Sequence, residues 1–301
     1  MKAPAFRYAR PATLDETFAL LAEHRDDARL IAGGQTLLAT LNMRLSEPHI
    51  LVDLRDVRGL RGISLQRDHV RIGALTRHSE IEDSALIARH LPLLALAAPH
   101  VAHRAIRNRG TIGGSLAYAD PAAEWPACAL ALGARFVLRS ARGERRVDAA
   151  DFFVDLYTTA LQSAEILTAC EFPLTLASTR VYFDELVRRH GDYAIVGVAA
   201  YAEIDGNMLV RPRFAFMGAS TVPVLARDTA AALDGVRVDT PSNLRAALDA
   251  ASAALDRELE PIADLYNSAE TKRHLARVLL KRALTALAQP AQPGVQNERV
   301  A

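Results

Sequence analysis

The residues best suited to chemistry lie in two glycine turns. One runs Arg107-Asn108-Arg109-Gly110-Thr111-Ile112-Gly113-Gly114-Ser115-Leu116. Glycine-rich main chain can turn tightly and approach a ligand closely. Thr111 and Ser115 add hydroxyls on either side, and Arg107 and Arg109 add two cations just before. Backbone N–H groups in a concave turn bind anions, so a phosphate-bearing ligand suits this stretch. The other turn, Arg29-Leu30-Ile31-Ala32-Gly33-Gly34-Gln35-Thr36-Leu37-Leu38, reads as a short buried strand, a double-glycine turn and the start of a helix. It is neither the dinucleotide fingerprint G-x-G-x-x-G nor a P-loop. Each turn taken alone is equally a plain connection between elements. Two unlike glycine turns together suggest one ligand with two phosphates, each gripped by a different subdomain.

Other reactive side chains offer little. His100-x-x-His103 has helical spacing for two metal ligands, but no third ligand is near in sequence, so no metal is expected. Cys128 and Cys170 stand far apart in apolar company and read as buried thiols, not as a disulfide or an iron–sulfur site. No nucleophile elbow, Cys/His dyad or acid–base pair is evident. The chain of 301 residues is long enough for two domains. With 50% apolar and 24% charged residues and a net charge of +1, it reads as a soluble globular protein with no bias towards nucleic acid or an anionic membrane. No run reaches the length of a membrane span, and Met-Lys-Ala-Pro-Ala-Phe-Arg lacks the apolar core of a secretory signal. A cytoplasmic location without membrane insertion is the expectation.

These turns need elements to hold them. Thr13-Leu14-Asp15-Glu16 is a capping box opening a helix, followed by a strand at 29–32, the first glycine turn, a helix to about Leu41 and a strand at 49–54. A strand at 70–74 and helices to Ile87 and over 93–98 precede the second turn. Asp120-Pro121 predicts an N-cap and first helical residue of a helix reaching 132. Arg142-Gly143 predicts a hairpin of 135–139 with 144–147, and 166–172 reads as a strand stopped by Pro173. Strands are expected at 181–189, 194–204 and 208–217, with Asp205-Gly206-Asn207 turning the last two. Helices follow over 224–233, 241–255 and 266–288. From Pro290 onward the chain reads as a flexible tail.

Ala-Gly-Gly-Gln-Thr-Leu at 32–37 and Arg-Asn-Arg-Gly-Thr-Ile-Gly-Gly-Ser-Leu at 107–116 resemble the flavin-binding medium subunit of the molybdenum hydroxylases. That family includes aerobic carbon monoxide dehydrogenase, quinoline and nicotine oxidoreductases, and the FAD portion of xanthine dehydrogenase. The resemblance spans nearly the whole chain, from Phe6-Arg7-Tyr8-Ala9-Arg10-Pro11 through Leu51-Val52-Asp53-Leu54-Arg55 and Glu165-Ile166-Leu167 to Arg188-Arg189-His190-Gly191-Asp192-Tyr193-Ala194 and Thr271-Lys272.

The resemblance implies an α+β protein. A two-lobed FAD-binding domain of the vanillyl-alcohol-oxidase/PCMH type (1–175, lobes 1–56 and 57–175) would precede a C-terminal α+β domain (176–289) with a three-stranded antiparallel sheet plus helices. It implies FAD between the lobes. Ala32, Gly33, Gly34, Gln35 and Thr36 would wrap the pyrophosphate, flanked by Leu30, Ile31 and Leu37. Thr111, Ile112, Gly113, Gly114 and Ser115 would form the second grip, Ser115 standing where relatives often carry Asn. Glu124, where relatives commonly have Asp, would bond the ribose or adenine; its plain alternative is helix-dipole complementarity. Leu167 would touch the flavin, although a strand leucine is ordinarily core. Tyr193 would lie against the isoalloxazine. Asp184 replaces a lysine of the xanthine dehydrogenase branch, leaving Arg188 to supply positive charge. No catalytic residue for hydroxylation is expected. The reaction implied is electron transfer by an oxidoreductase subunit. Electrons would come from [2Fe–2S] clusters of a small subunit, fed by molybdopterin on a large subunit in a dimer of heterotrimers, and leave to an external acceptor. A flavin reductase of the same fold acting alone, or a nucleotide-binding scaffold without redox activity, stay open as alternatives.

Overall fold

The computed structural model of the chain describes residues 2–289, so the tail expected at 290–301 lies outside the described residues. Three sheets carry the architecture. Strands β1 (Arg7–Ala9), β2 (Ala28–Ile31) and β3 (Ile50–Asp53) make a small parallel sheet in the order β1-β3-β2. Helix Leu14–His24 precedes β2, and the Thr13 hydroxyl caps it by accepting from the Glu16 N–H at 3.2 Å. Phe18 and Leu21 on its inner face pack with Ile50 and Val52 of β3, the amphipathic stripe meeting a buried strand.

Strands β4 (Ile63–Leu65), β5 (His69–Gly73), β6 (Arg135–Ser140) and β7 (Gly143–Asp148) follow, then the short ladder β8 (Phe153–Asp155) with β9 (Thr158–Thr159), then β10 (Ile166–Pro173). The five-stranded antiparallel sheet runs β4-β5-β10-β6-β7, and the expected hairpin is its β6–β7 edge. Strand β10 takes the centre because its residues from Ile166 to Phe172 are buried; only the terminal Pro173, unable to donate to the ladder, is exposed.

The C-terminal sheet holds β11 (Thr179–Leu186), β12 (Val196–Asp205), β13 (Met208–Met217) and β14 (Val224–Leu225) in that order. It therefore has four strands where the family resemblance implies three. Val224 and Leu225 pair with Phe216 and Ala215, so the helix expected from 224 begins only at Arg227. Helix Ala269–Ala288 backs this sheet, burying Leu279, Leu280, Leu284 and Leu287 against it.

Helix Glu124–Leu132 joins the two halves. Every residue from Trp125 to Leu132 is buried, because the helix lies between the five-stranded sheet and the strands β12 and β13. A helix apolar all round fits only where both sides are covered. It starts three residues later than the sequence predicts. Asp120 instead caps a turn, accepting from the Ala122 N–H at 2.9 Å, and the Gly218 N–H draws that turn to the C-terminal sheet through the Pro121 carbonyl at 2.8 Å. Beneath, Phe136 is fully buried with its ring edge-on to Phe152 at 4.6 Å. Phe136→Ala is expected to cost about 3–5 kcal/mol, read as a lower denaturant midpoint with an unchanged slope.

Candidate functional site

The two glycine turns touch. A Cβ added to Gly33 would stand 2.3 Å from the Arg109 carbonyl oxygen and 2.7 Å from Gly110 Cα. Only glycine lets the main chain of the small lobe come this close to that of the larger one. Gly34 follows with φ +72°, the left-handed turn that sends the chain into helix Leu37–Asn42. The N–H groups of Gly33, Gly34, Gln35 and Thr36 donate no hydrogen bond to any other main-chain group among the described residues, while the Gln35 side chain closes the turn on the Gly33 carbonyl at 3.0 Å. Unspent main-chain donors converging in a polar turn are what an anion needs.

The second turn is built as a helix start. Thr111 is the N-cap of helix Ile112–Tyr118, its hydroxyl accepting from the Gly114 N–H at 3.1 Å. Gly113 and Gly114 are thus helical, and Gly113 is glycine because Ala74 would lie 2.4 Å from its Cβ. Residues 74–78 hold the turn in register. The Ile112 N–H donates to Thr76, the Gly113 N–H to Ala74, and the His78 N–H to Gly110. The buried His78 side chain is a further brace. Burial holds its imidazole at about 3, so it is neutral, and Nδ1 accepts from Trp125 Nε1 at 2.9 Å, which leaves the proton on Nε2.

The arginines serve the scaffold. Arg107 is buried and grips the Glu82 carboxylate at 2.8 and 3.1 Å while donating to the carbonyls of Pro99, Val101 and Ala102. Arg104 pairs with Glu82 and Asp83. Of the three cations near this turn only Arg109 lies outside these pairs. This division is not legible in the sequence, because Glu82 comes from a distant segment.

Side chains from three elements gather at the mouth of the turns. Tyr193 is exposed, and its phenol is pushed up by partial desolvation and by the charge of Asp120, with smaller contributions from Tyr118 and Glu124. The Tyr118 ring lies 5.1 Å from Tyr157. Glu124, half-buried at the start of its helix, is pushed up to about 8 by burial, with the Glu185 charge adding to it. The turn at 32–36 and the helix start at 112 are neighbours, a Cβ on Gly114 lying 3.5 Å from Ala32 Cβ, and the charges of Asp120 and Glu124 reach Tyr193 of the C-terminal half.

The remaining predicted residues are placed as follows. Ile31 is buried with Leu41 and Leu51, with Leu37 packed beside them, and Leu30 is half-buried in the core under helix Leu14–His24. Ile112 is fully buried, and Leu167 is in the main core opposite Leu138. Ser115 is half-buried on the exposed side of its helix. Arg188 is exposed, with its guanidinium 4.2 Å above the Tyr266 ring. Asp120, which the sequence offers as an N-cap, and Tyr118 follow the second motif by a few residues, but Tyr157 comes from the β8–β9 turn and carries no sequence signal. His100 and His103 diverge: His100 pairs with Glu185, and His103 packs against His190.

Comparison with known proteins bears on these turns. Residues 4–175 match the FAD binding domain in molybdopterin dehydrogenase, and residues 181–287 match the CO dehydrogenase flavoprotein C-terminal domain. The chain is 36% identical to the 6-hydroxypseudooxynicotine dehydrogenase complex subunit alpha of Paenarthrobacter nicotinovorans, over 97% of this chain and 98% of that one. Its structure is similar to that of carbon monoxide dehydrogenase from Hydrogenophaga pseudoflava, with a TM-score of 0.90 and 36% identity over 95% of this chain and 98% of the other. It is also similar to quinoline 2-oxidoreductase from Pseudomonas putida 86, with a TM-score of 0.88 and 38% identity over 96% and 99% of the two chains. A mixed helix-and-sheet fold with these two modules is that of a flavoprotein subunit. The chain belongs to the family of FAD-binding medium subunits of the molybdenum hydroxylases. It is an oxidoreductase subunit with an electron-transfer role, and FAD is the cofactor of its binding domain.

The first turn suits that cofactor in its chemistry, because its unspent N–H groups are the donors a pyrophosphate requires. Gly33→Ala is expected to force the two turns apart and weaken FAD binding at least about 10-fold, the loss of one or two main-chain hydrogen bonds, measured by calorimetric titration. A pH effect also follows. A carboxyl whose folded value is raised binds more protons when folded, so its contribution to stability falls as pH rises from about 4.5 to about 8. Glu124→Gln is expected to flatten the decline in stability of the FAD-free chain over that window, read from denaturant midpoints at each pH.

Proposed function

We propose that FAD lies across the junction of the two lobes, with its pyrophosphate on the N–H groups of Gly33 to Thr36 and on the Thr111–Ser115 turn. The observation that carries this reading is the set of unspent donors in the first turn, pressed against the second by the Gly33 contact. Glu124 accepts a ribose or adenine hydrogen bond when ionised. Tyr193, exposed beside these elements, covers the flavin side. Ile112 and Leu167 act from the core by shaping its floor, and Leu30, Ile31 and Leu37 fix the turn from behind. Arg188, exposed and stacked over Tyr266, supplies positive charge from the C-terminal half in this reading.

When bound, FAD accepts electrons one or two at a time and passes them on; this chain binds it, orients it and limits water around it. In this reading the molybdopterin centre sits on a large subunit and the [2Fe–2S] clusters on a small subunit, with the medium chain completing a dimer of heterotrimers in the cytoplasm. No helix among the described residues is long and apolar enough to cross a membrane. The domain division is 1–175, of PCMH type with lobes at 1–56 and 57–175, and 176–289. The relatives that carry it act on different molecules, so the hydroxylated substrate is chosen on the large subunit.

FAD added to the purified chain, followed by desalting, tests the reading by absorption. About one flavin per chain is expected, and almost none with Gly114→Val, whose side chain crowds the Thr111 hydroxyl, 2.9 Å from a Cβ at this position. A wild-type chain that is folded by circular dichroism yet stays colourless, alone and with its partners, contradicts it.

A further inference from the structure

The outer face of the five-stranded sheet carries a charged cluster that neither glycine turn uses. Side chains alternate along β10, so Cys170 and Phe172 enter the core while Glu171 stands on the opposite face. Glu171 is in register with Arg71 of β5 on one side and with Arg135 of β6 on the other. Arg146 reaches over from the edge strand β7 and holds the carboxylate with two hydrogen bonds, both 3.2 Å. The Glu171 side chain is 5% exposed, whereas those of Arg71, Arg135 and Arg146 are 34%, 47% and 49% exposed. A buried carboxylate thus lies beneath three guanidiniums that face solvent.

Their donors are not equally spent. Arg146 commits Nε and Nη2 to Glu171 and Nη1 to Glu144 at 2.9 Å, so it satisfies the buried carboxylate by itself. Arg71 Nη1 and Arg135 Nη2 lie 3.8 and 3.7 Å from the same carboxylate, too far for hydrogen bonds. Neither guanidinium donates to any acceptor among the described residues. The nearby Asp68 is engaged by His69 Nδ1 at 2.7 Å. Arg71 and Arg135 are therefore two cations beyond what Glu171 needs, held on either side of it. Like charges gathered this way repel unless an anion joins them. Gln66 and His69, with Arg71 and Arg146, wall a recess of about 360 Å³ over the carboxylate.

We propose that this recess is an oxyanion site for a phosphate group, free or as a phosphomonoester, taken between the Arg71 and Arg135 guanidiniums. It goes beyond the FAD reading and shares no residue with the glycine turns. Strands β5 and β6 flank β10, so the two arginine backbones stand about 10 Å apart, two inter-strand spacings. Each long side chain reaches inward across half of that gap. A carboxylate offers two coplanar oxygens, enough for one guanidinium fork, whereas a tetrahedral phosphate offers oxygens to both forks at once. Glu171 is a positioning residue here, the buried counter-charge that lets the guanidiniums stand close together. Arg146, already bonded, keeps that carboxylate in place.

The full chain loaded with FAD is titrated calorimetrically with inorganic phosphate and, separately, with glycerol 2-phosphate in a neutral buffer of low chloride. Tighter binding of the monoester marks an organic phosphate as the ligand, and the reverse marks the free ion. Arg71→Gln and Arg135→Gln are each expected to weaken the tighter probe about 10-fold, and the double variant about 100-fold. Arg139→Gln, which removes the same charge four residues along β6, is expected to change the affinity less than about 2-fold. In the wild-type chain, the Nε–H signals of Arg71 and Arg135 seen by NMR are expected to shift on addition of phosphate. A wild-type Kd weaker than about 10 mM, unmoved arginine signals, or equal affinity in the double variant overturns the site. The arginine variants locate the phosphate by themselves, so a chain that retains no FAD contradicts the flavin reading and leaves this test intact.

Discussion

Much of this molecule depends on one steric fact, that the main chain at Gly33 lies against the main chain at Arg109 and Gly110 with no room for a side chain. This contact fixes the small parallel sheet on the five-stranded one. It also decides where the unspent N–H groups of the first turn point. Those groups are stable in the FAD-free chain only because water reaches them; a ligand that excludes water must replace every bond it displaces. The turn thus favours a polyanion over an apolar guest.

The buried helix Glu124–Leu132 carries the second constraint. Its body fills the seam between two sheets, so the position of Glu124 is set by packing along the whole helix. The Trp125–His78 hydrogen bond ties that start to the brace on Gly110. Through these contacts both glycine turns and the carboxyl of Glu124 are referenced to one core. Arg213 adds a bond across the seam, donating to the Leu130 carbonyl at 2.7 Å. In the proposed reading, FAD meets a frame set by packing, which suits electron transfer because the redox group need not move.

Local signals made much of the architecture legible. The capping box at Thr13, the Asp-Gly-Asn hairpin and the apolar run at 166–172 each specify an element without long-range help, and each formed. The glycine turns were legible as motifs, but their mutual contact was not, since nothing in sequence states that Gly33 faces Arg109. Asp120-Pro121 misled because a distant N–H, that of Gly218, competes for the turn. The residues 224–225 misled because a strand edge at β13 outweighs the modest helix propensity of Val224. His78, Tyr157 and the Glu185–His100 pair carry no local signature, because their partners lie tens of residues away and only the folded chain brings them together.

The most direct measurement of the account is residue-resolved hydrogen exchange of the chain with and without FAD. The N–H groups of Gly33, Gly34, Gln35 and Thr36 have no main-chain acceptor in the free fold, so they are expected to exchange quickly until FAD is added and then to become strongly protected. Protection elsewhere, with these four amides exchanging as before while FAD is bound, would contradict the placement of the pyrophosphate on the first glycine turn.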